Sequence, residues 1–214
     1  EQRSAGSSIK KGFVKSILVD FLNVRLVVIG FDYSFGHLGA GTPEMMVEYG
    51  AKYGFDVVVI PPVMVGEKVA SSTEVRRMLV SGDVAGALEM LGRPYSVLGM
   101  VRGGSGRGKT LGFPTANIFP DDRVLVPLQG VYATATKICG KTYKSVTNVG
   151  ASPTFSSKET DVRIETHIID FERDLYGEYI EVFFLEKIRD ERKFDSPLEL
   201  AKQVKEDIEY ARRV

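Results

Sequence analysis

The chain has 214 residues, 43% of them hydrophobic and 26% charged, which supplies apolar material for one large core or two small ones and excludes an intrinsically disordered chain. Twenty-eight basic residues balance twenty-eight acidic ones, so no net field gathers a polyanion, and nucleic acid or a charged membrane surface is excluded as the default partner. No apolar run approaches the ~20 residues of a membrane span, and the opening EQRSAGSSIKKGF has no apolar signal-peptide core, so a soluble cytoplasmic protein is expected.

In chain order, Leu26 to Gly30 (LVVIG) and Val57 to Ile60 (VVVI) are β-branched runs of strand length, and Pro43 to Tyr53 (PEMMVEYGAKY) reads as a helix between them. Strand, helix, strand implies a βαβ unit in a parallel sheet. Thr73 to Val80 and Val84 to Leu91 follow as two helices, capped by Ser72 and Asp83. Gly92-Arg93-Pro94 then breaks the pattern and sets a domain boundary between residues 1–92 and 93–214.

Beyond that break the texture changes to strands. Tyr95 to Val101, Val131 to Ile138, Thr142 to Asn148, Val162 to Ile169 and Tyr179 to Ile188 are rich in β-branched and aromatic residues, with Gly or Asp in several gaps. Five or six strands in about 100 residues predict a small antiparallel barrel. Cys139 is the single cysteine, forbids an intrachain disulfide, and in its apolar surroundings reads as a buried free thiol. The tail from Ser196 to Val214 is helical: Ser196 caps it, Pro197 takes the first position, and Leu200, Ala201, Val204, Ile208 and Ala211 form a stripe that packs on the barrel.

Gly103 to Thr110 (GGSGRGKT) matches the phosphate-binding pattern G-x-x-x-x-G-K-[ST]. A P-loop must run straight into a helix, whereas here Gly112 and Pro114 occupy the positions of its first turns, which argues against that fold. The chemistry survives: four glycines in six residues allow close approach to a ligand, and Arg107 and Lys109 supply charge for phosphate oxygens. In Pro114 to Asn117 (PTAN), an extended chain would present the Thr115 hydroxyl and the Asn117 amide oxygen to one side. Two neutral oxygens do not hold magnesium alone, but beside a phosphate loop they suit Mg-ATP. Read from the residues only, the first segment also fits a solvated basic loop and the second a turn.

GRPYSVLGMV, TLGFPTANI, GVYATA, NVGASPTF, ETHIIDFERDLYG and IRDERKFDS occur in that order from Gly92 onward. Together they resemble the successive signatures of the riboflavin kinase domain of prokaryotic bifunctional riboflavin kinase/FMN adenylyltransferases. The resemblance implies a six-stranded flavin-kinase barrel with a C-terminal helix, moving the γ-phosphate of ATP to riboflavin to give FMN. It implies Thr115 and Asn117 as ligands of Mg2+, a flap over the nucleotide carrying Gly106, Lys109 and Gly112, and Glu165 as catalytic base. Arg189 falls in a region that borders the flavin in the family. Glu165 shares a strand face with Arg163 and His167, an arrangement that a solvated strand face would also produce. His167 reads as a neighbour of the base or as a satisfied polar residue, and not as a catalyst.

The front half is also similar to the family. LVVIGFDYSFG and Ser71 to Arg76 (SSTEVR) look like parts of its Rossmann-like adenylyltransferase domain. With His37 and His167 the only histidines, the H-x-G-H element that grips ATP in that domain is missing, so FMN adenylyltransferase activity is not expected of these residues. The expectation is thus a partial adenylyltransferase domain at 1–92 followed by a riboflavin kinase domain at 93–214, acting on small molecules. A non-catalytic flavin- or nucleotide-binding module is the competing reading, opposed by the joint presence of Glu165 and PTAN. Oligomeric state leaves no trace in the sequence.

Overall fold

The computed structural model describes residues 12–104, 108, 112–121, 123–151 and 162–214. They fall into two compact units, Glu1–Val69 and Ala70–Val214. The boundary expected at residue 93 is a change of texture; the packing boundary comes earlier, because the two helices before residue 93 belong to the second unit.

In the first unit, helix α1 (Phe13–Phe21), wound with π-helical spacing, precedes strand β1 (Leu26–Gly30). Helix α2 (Pro43–Tyr53) leads to strand β2 (Asp56–Ile60), which pairs parallel to β1 as the βαβ pattern requires. Thr42 caps α2, Pro43 takes its first turn, and Gly54 closes it in the left-handed conformation. Val14, Ile29, Phe35, Met46 and Phe55 form the core of this unit. A short hairpin, β3 (Met64–Val65) with β4 (Lys68–Val69), ends it.

The second unit opens with α3 (Ser72–Ser81) and α4 (Val84–Leu91). The cap of α3 is Ser71, one residue before the Ser72 expected: its hydroxyl accepts from Glu74 N, and Ser72 is already helical. Asp83 caps α4 as expected, accepting from Gly86 N at 2.8 Å.

Six strands then close into an antiparallel barrel: β5 (Tyr95–Arg102), β6 (Ala116–Phe119), β7 (Gly130–Ile138), β8 (Lys141–Ala151), β9 (Val162–Ile168) and β10 (Tyr179–Arg189), in the order β10-β5-β6-β9-β8-β7. Closure gives every strand two neighbours. The interior holds Val97, Ile118, Tyr132, Val149, Ile164, Ile180, Val182 and Phe184, all fully buried.

A run of hydroxyls shares that interior. Thr136 bonds Ser145, Ser145 bonds Thr134, and Thr134 bonds Thr147, each at 2.8 Å, and Thr147 reaches Thr166 at 3.0 Å. Each buried hydroxyl therefore finds its partner inside the wall. Burial also pushes the phenol of Tyr132 up to about 12.

Cys139 is exposed, contrary to the buried thiol expected. Cys139 and Gly140 both take left-handed backbone angles, φ 47° and 82°, in the two-residue turn between Ile138 and Lys141, which turns the thiol out of the apolar run preceding it. Helix α5 (Pro197–Ala211), capped by Ser196, lays Ile208 and Ala211 on the outer face of β7 and β8 against Val131, Ala133 and Val146.

Candidate active site

Opposed residues of an antiparallel pair project to the same side, so the barrel's register lines side chains up across strands. Asn117 of β6 pairs with Glu165 of β9, Glu165 with Asn148 of β8, Asn148 with Val131 of β7, and Val131 with Arg189 of β10. This row lies on the outside of the barrel, because Ile164, Thr166 and Ile168 take the inward positions of β9. The next row contains His167 and Val146.

Above these rows is a cavity of about 420 Å³. Its floor is Val131, Val146, Asn148, Arg163, Glu165 and His167; its walls are Phe113 and Thr115 on one side and Arg189, Glu191, Arg192, Phe194, Leu200, Val204 and Asp207 on the other. A lining that mixes apolar and charged side chains suits a ligand that combines a flat apolar body with a polar arm. Thr115 also lines a second cavity of about 400 Å³, with Pro114, Ala116, Thr166, Phe171 and Arg173 among its walls.

Glu165 is partly buried and receives a hydrogen bond from Arg163 Nη1 at 3.2 Å. Asn117 is 5% exposed, and its buried Oδ1 finds no hydrogen-bond partner among the described residues. A buried amide oxygen without a partner costs about 1–3 kcal/mol unless a ligand supplies one. The glycine-rich segment presses against the same pair. A Cβ on Gly104 would lie 2.1 Å from Asn117 Nδ2, and one on Gly108 would lie 2.4 Å from Phe113 O and 3.3 Å from Thr115 Oγ1, so a side chain at either position would push into PTAN.

Of the residues singled out in the sequence, Thr115, Asn117, Glu165 and Arg189 come together around this cavity, though they span 75 positions between Thr115 and Arg189. Gly112 stands at an exposed turn with φ 83°. Gly106 and Lys109 lie outside the described residues.

Arg189 is engaged by the protein. Its Nε lies 3.1 Å from both carboxylate oxygens of Asp207, and its Nη2 lies 2.8 Å from Oδ2. Gln203 donates to Asp207 at 3.0 Å and accepts from Arg192, whose guanidinium lies 4.7 Å from the Phe194 ring centre. This network fastens α5 and the β10–α5 connection over the cavity. At the far end of α5 the Arg212 guanidinium, hydrogen-bonded to Asp170, holds that carboxyl below the usual carboxylate range.

Sequence reasoning missed Asn148, Glu191, Phe113, Phe194 and Asp207 as cavity residues. Asp207 did carry a signal. It is a carboxylate at helical spacing from Leu200 and Val204, inside an otherwise apolar stripe, where a charge needs a buried partner. Asn148 carried none, because its place beside Glu165 is a matter of strand register.

Comparison with known proteins gives two family matches: the riboflavin kinase model over residues 91–214 and the FAD synthetase model over residues 3–74. Curated relatives named bifunctional riboflavin kinase/FMN adenylyltransferase are 37% identical in Buchnera aphidicola (96% of this chain, 66% of that protein) and 37% in Bacillus subtilis (95% and 64%). The Haemophilus influenzae protein of that name is 34% identical (98% and 68%). The chain spans just under two thirds of the length of the first two. A crystal structure from Streptococcus pneumoniae described as a macrolide-efflux protein superposes with a TM-score of 0.84 at 37% identity, covering 94% of this chain and 64% of that one. Among the described residues of this chain, no helix is long and apolar enough to cross a membrane. The riboflavin kinase model covers more than half of the sequence, and the chain belongs to the family of bifunctional riboflavin kinase/FMN adenylyltransferases.

Proposed function

We propose that this member of the family is an ATP-dependent riboflavin kinase, transferring the γ-phosphate of ATP to the terminal ribityl hydroxyl of riboflavin to give FMN. The observation that carries the reading is the lateral pair Asn117 and Glu165: an amide oxygen unpartnered among the described residues, directly beside a carboxylate that lines one cavity and two residues from a threonine shared with a second.

In-line phosphoryl transfer needs donor and acceptor on opposite sides of the moving group. Thr115 lines two cavities, which supports placing riboflavin in the one under α5, where Phe113 and Phe194 suit its ring, and ATP in the other. Glu165 accepts the hydroxyl proton as the oxygen attacks phosphorus, since a primary alcohol is a poor nucleophile until a positioned base takes its proton. Arg163, at 3.2 Å, orients that carboxylate before substrate arrives.

The donor set fits magnesium. Asn117 Oδ1 is buried without a partner among the described residues, and Thr115 adds a neutral hydroxyl oxygen two residues away, the hard donors that ion takes alongside phosphate oxygens and water. When bound, Mg2+ would neutralise charge on the phosphates. Gly104 and Gly108 let the flap lie against this clamp, and Gly106 and Lys109 belong to the same flap, with the lysine supplying a cation for the phosphates. Arg189 acts by holding α5 in place through Asp207. A cytoplasmic location fits an enzyme of small soluble substrates. Conversion of FMN to FAD, named for the relatives, is assigned in this reading to an H-x-G-H element that these 214 residues do not contain.

The test is incubation with riboflavin, ATP and magnesium followed by separation of the flavins. FMN is expected and FAD is not; a flavin profile identical to the enzyme-free blank overturns the kinase reading, and flavin binding without turnover would leave a binding module instead. Glu165→Gln is expected to lower turnover by about 100-fold or more while nucleotide binding persists.

A further inference from the structure

The ladder between β6 and β9 stops one residue short of Thr115. Its last pair is Ala116 with Thr166, so Thr115 and Pro114 run on without a strand partner on that side. Proline has no N–H to extend the ladder. Its carbonyl is nevertheless satisfied: His167 Nδ1 lies 2.9 Å from Pro114 O. A carbonyl only accepts, so Nδ1 carries the proton.

The Pro114 carbonyl belongs to the peptide plane whose other end is the nitrogen and Cα of Thr115. Because that unit is rigid, fixing its oxygen fixes the direction in which Thr115 leaves it. The imidazole is itself held, since the Phe113 ring meets it edge to face with centroids 5.8 Å apart and planes at 89°. Phe113 N in turn donates to Gly108 O at 2.8 Å, tying the return of the glycine-rich flap to the same point. One side chain of β9 thus anchors the hydroxyl donor of the clamp and the base of the flap, two residues along the strand from Glu165 and on the same face.

We propose that His167 is a positioning residue for the Mg-ATP side of the reaction: it acts through the Pro114 carbonyl to hold Thr115 and the flap base, and takes no part in proton transfer. The proposal rests on the kinase reading above. It assigns to His167 a role that sequence reading had left as that of a polar neighbour.

His167→Phe keeps a ring against Phe113 and removes the donor, while His167→Asn keeps a donor near the Nδ1 position. With Glu165 intact, His167→Phe is expected to raise the KM for Mg-ATP and the magnesium concentration at half-maximal rate by about tenfold, the scale of one lost hydrogen bond. His167 also lines the floor of the cavity under α5, so the riboflavin KM does not discriminate; the discriminating readout is that His167→Asn should recover most of the Mg-ATP loss. Unchanged Mg-ATP parameters in His167→Phe would overturn the proposal, as would equal impairment of both variants, which marks a merely structural residue. Calorimetric titration of ADP with and without magnesium on the same proteins reads the anchoring independently of turnover. If the parent chain makes no FMN but binds Mg-ADP about tenfold more tightly than His167→Phe, the kinase reading fails and the anchoring role stands. If it makes FMN and the variants bind Mg-ADP alike, the anchoring role fails and the kinase reading stands.

Discussion

The two units use the same β-branched vocabulary to opposite ends. Strand β9 alternates, with Ile164, Thr166 and Ile168 buried between Arg163, Glu165 and His167, and the barrel gives each face the surroundings its residues need. Strands β1 and β2 read as continuous apolar runs, the pattern of parallel strands covered on both faces. Only one face of that pair packs on the core of Val14, Ile29 and Met46; on the other, Leu26, Val28, Val58 and Ile60 are between 44% and 57% exposed. A closed barrel completes its own hydrogen bonding and burial, whereas a two-stranded parallel sheet completes neither. The side chains assigned here to phosphoryl transfer all stand on or around the self-contained unit.

The sharpest way to break this comparison is to truncate one apolar strand residue in each unit and follow urea denaturation by circular dichroism. Ile164→Ala, at a fully buried barrel position, is expected to cost about 4 kcal/mol, and Val28→Ala, on the open face, within about 0.5 kcal/mol. Similar losses would mean that the open face is covered in solution.

Next in size is the lock between α5 and the barrel. Asp207→Ala leaves Arg189 without its carboxylate partner and is expected to cost about 3 kcal/mol, with weakened riboflavin binding because α5 roofs that cavity. Retained affinity for riboflavin would separate the helix from the site.

The smallest expected effect is in pH. The Tyr132 phenol is raised to about 12 by burial, so the barrel favours the neutral form; the stability this reflects is complete below about pH 10, the ordinary phenol range, and is lost as pH rises toward 12. Thermal melts of Tyr132→Phe should show a flatter decline over that window than the parent. An identical decline in both would assign alkaline loss to other groups.

Helices α2 to α5 were legible to within about three residues, whereas α1 (Phe13–Phe21) was not read from the sequence. Pro43–Tyr53 and Pro197–Ala211 carry their own caps, and periodicity and capping are local properties. Strands were found to within a few residues, except β6, four residues long between prolines, and the two-residue β3 and β4, all too short to announce themselves as strands. Cys139 was misread because a two-residue turn follows Ile138 at once, and hydrophobic neighbours along the chain are no guide to which way a turn residue points.

By itself, then, the sequence determined the element types, the two-part organisation, the family, and the residue types available for phosphoryl transfer, because each depends on short-range pattern or on ordered motifs. Tertiary structure alone decided which of those residues meet. Asn117 stands beside Glu165, Asn148 on the other side of it, Arg189 is committed to Asp207, and His167 holds the Pro114 carbonyl. The reason is that strand register and barrel closure bring together residues dozens of positions apart, and a one-residue slip would send each of these side chains to the opposite face.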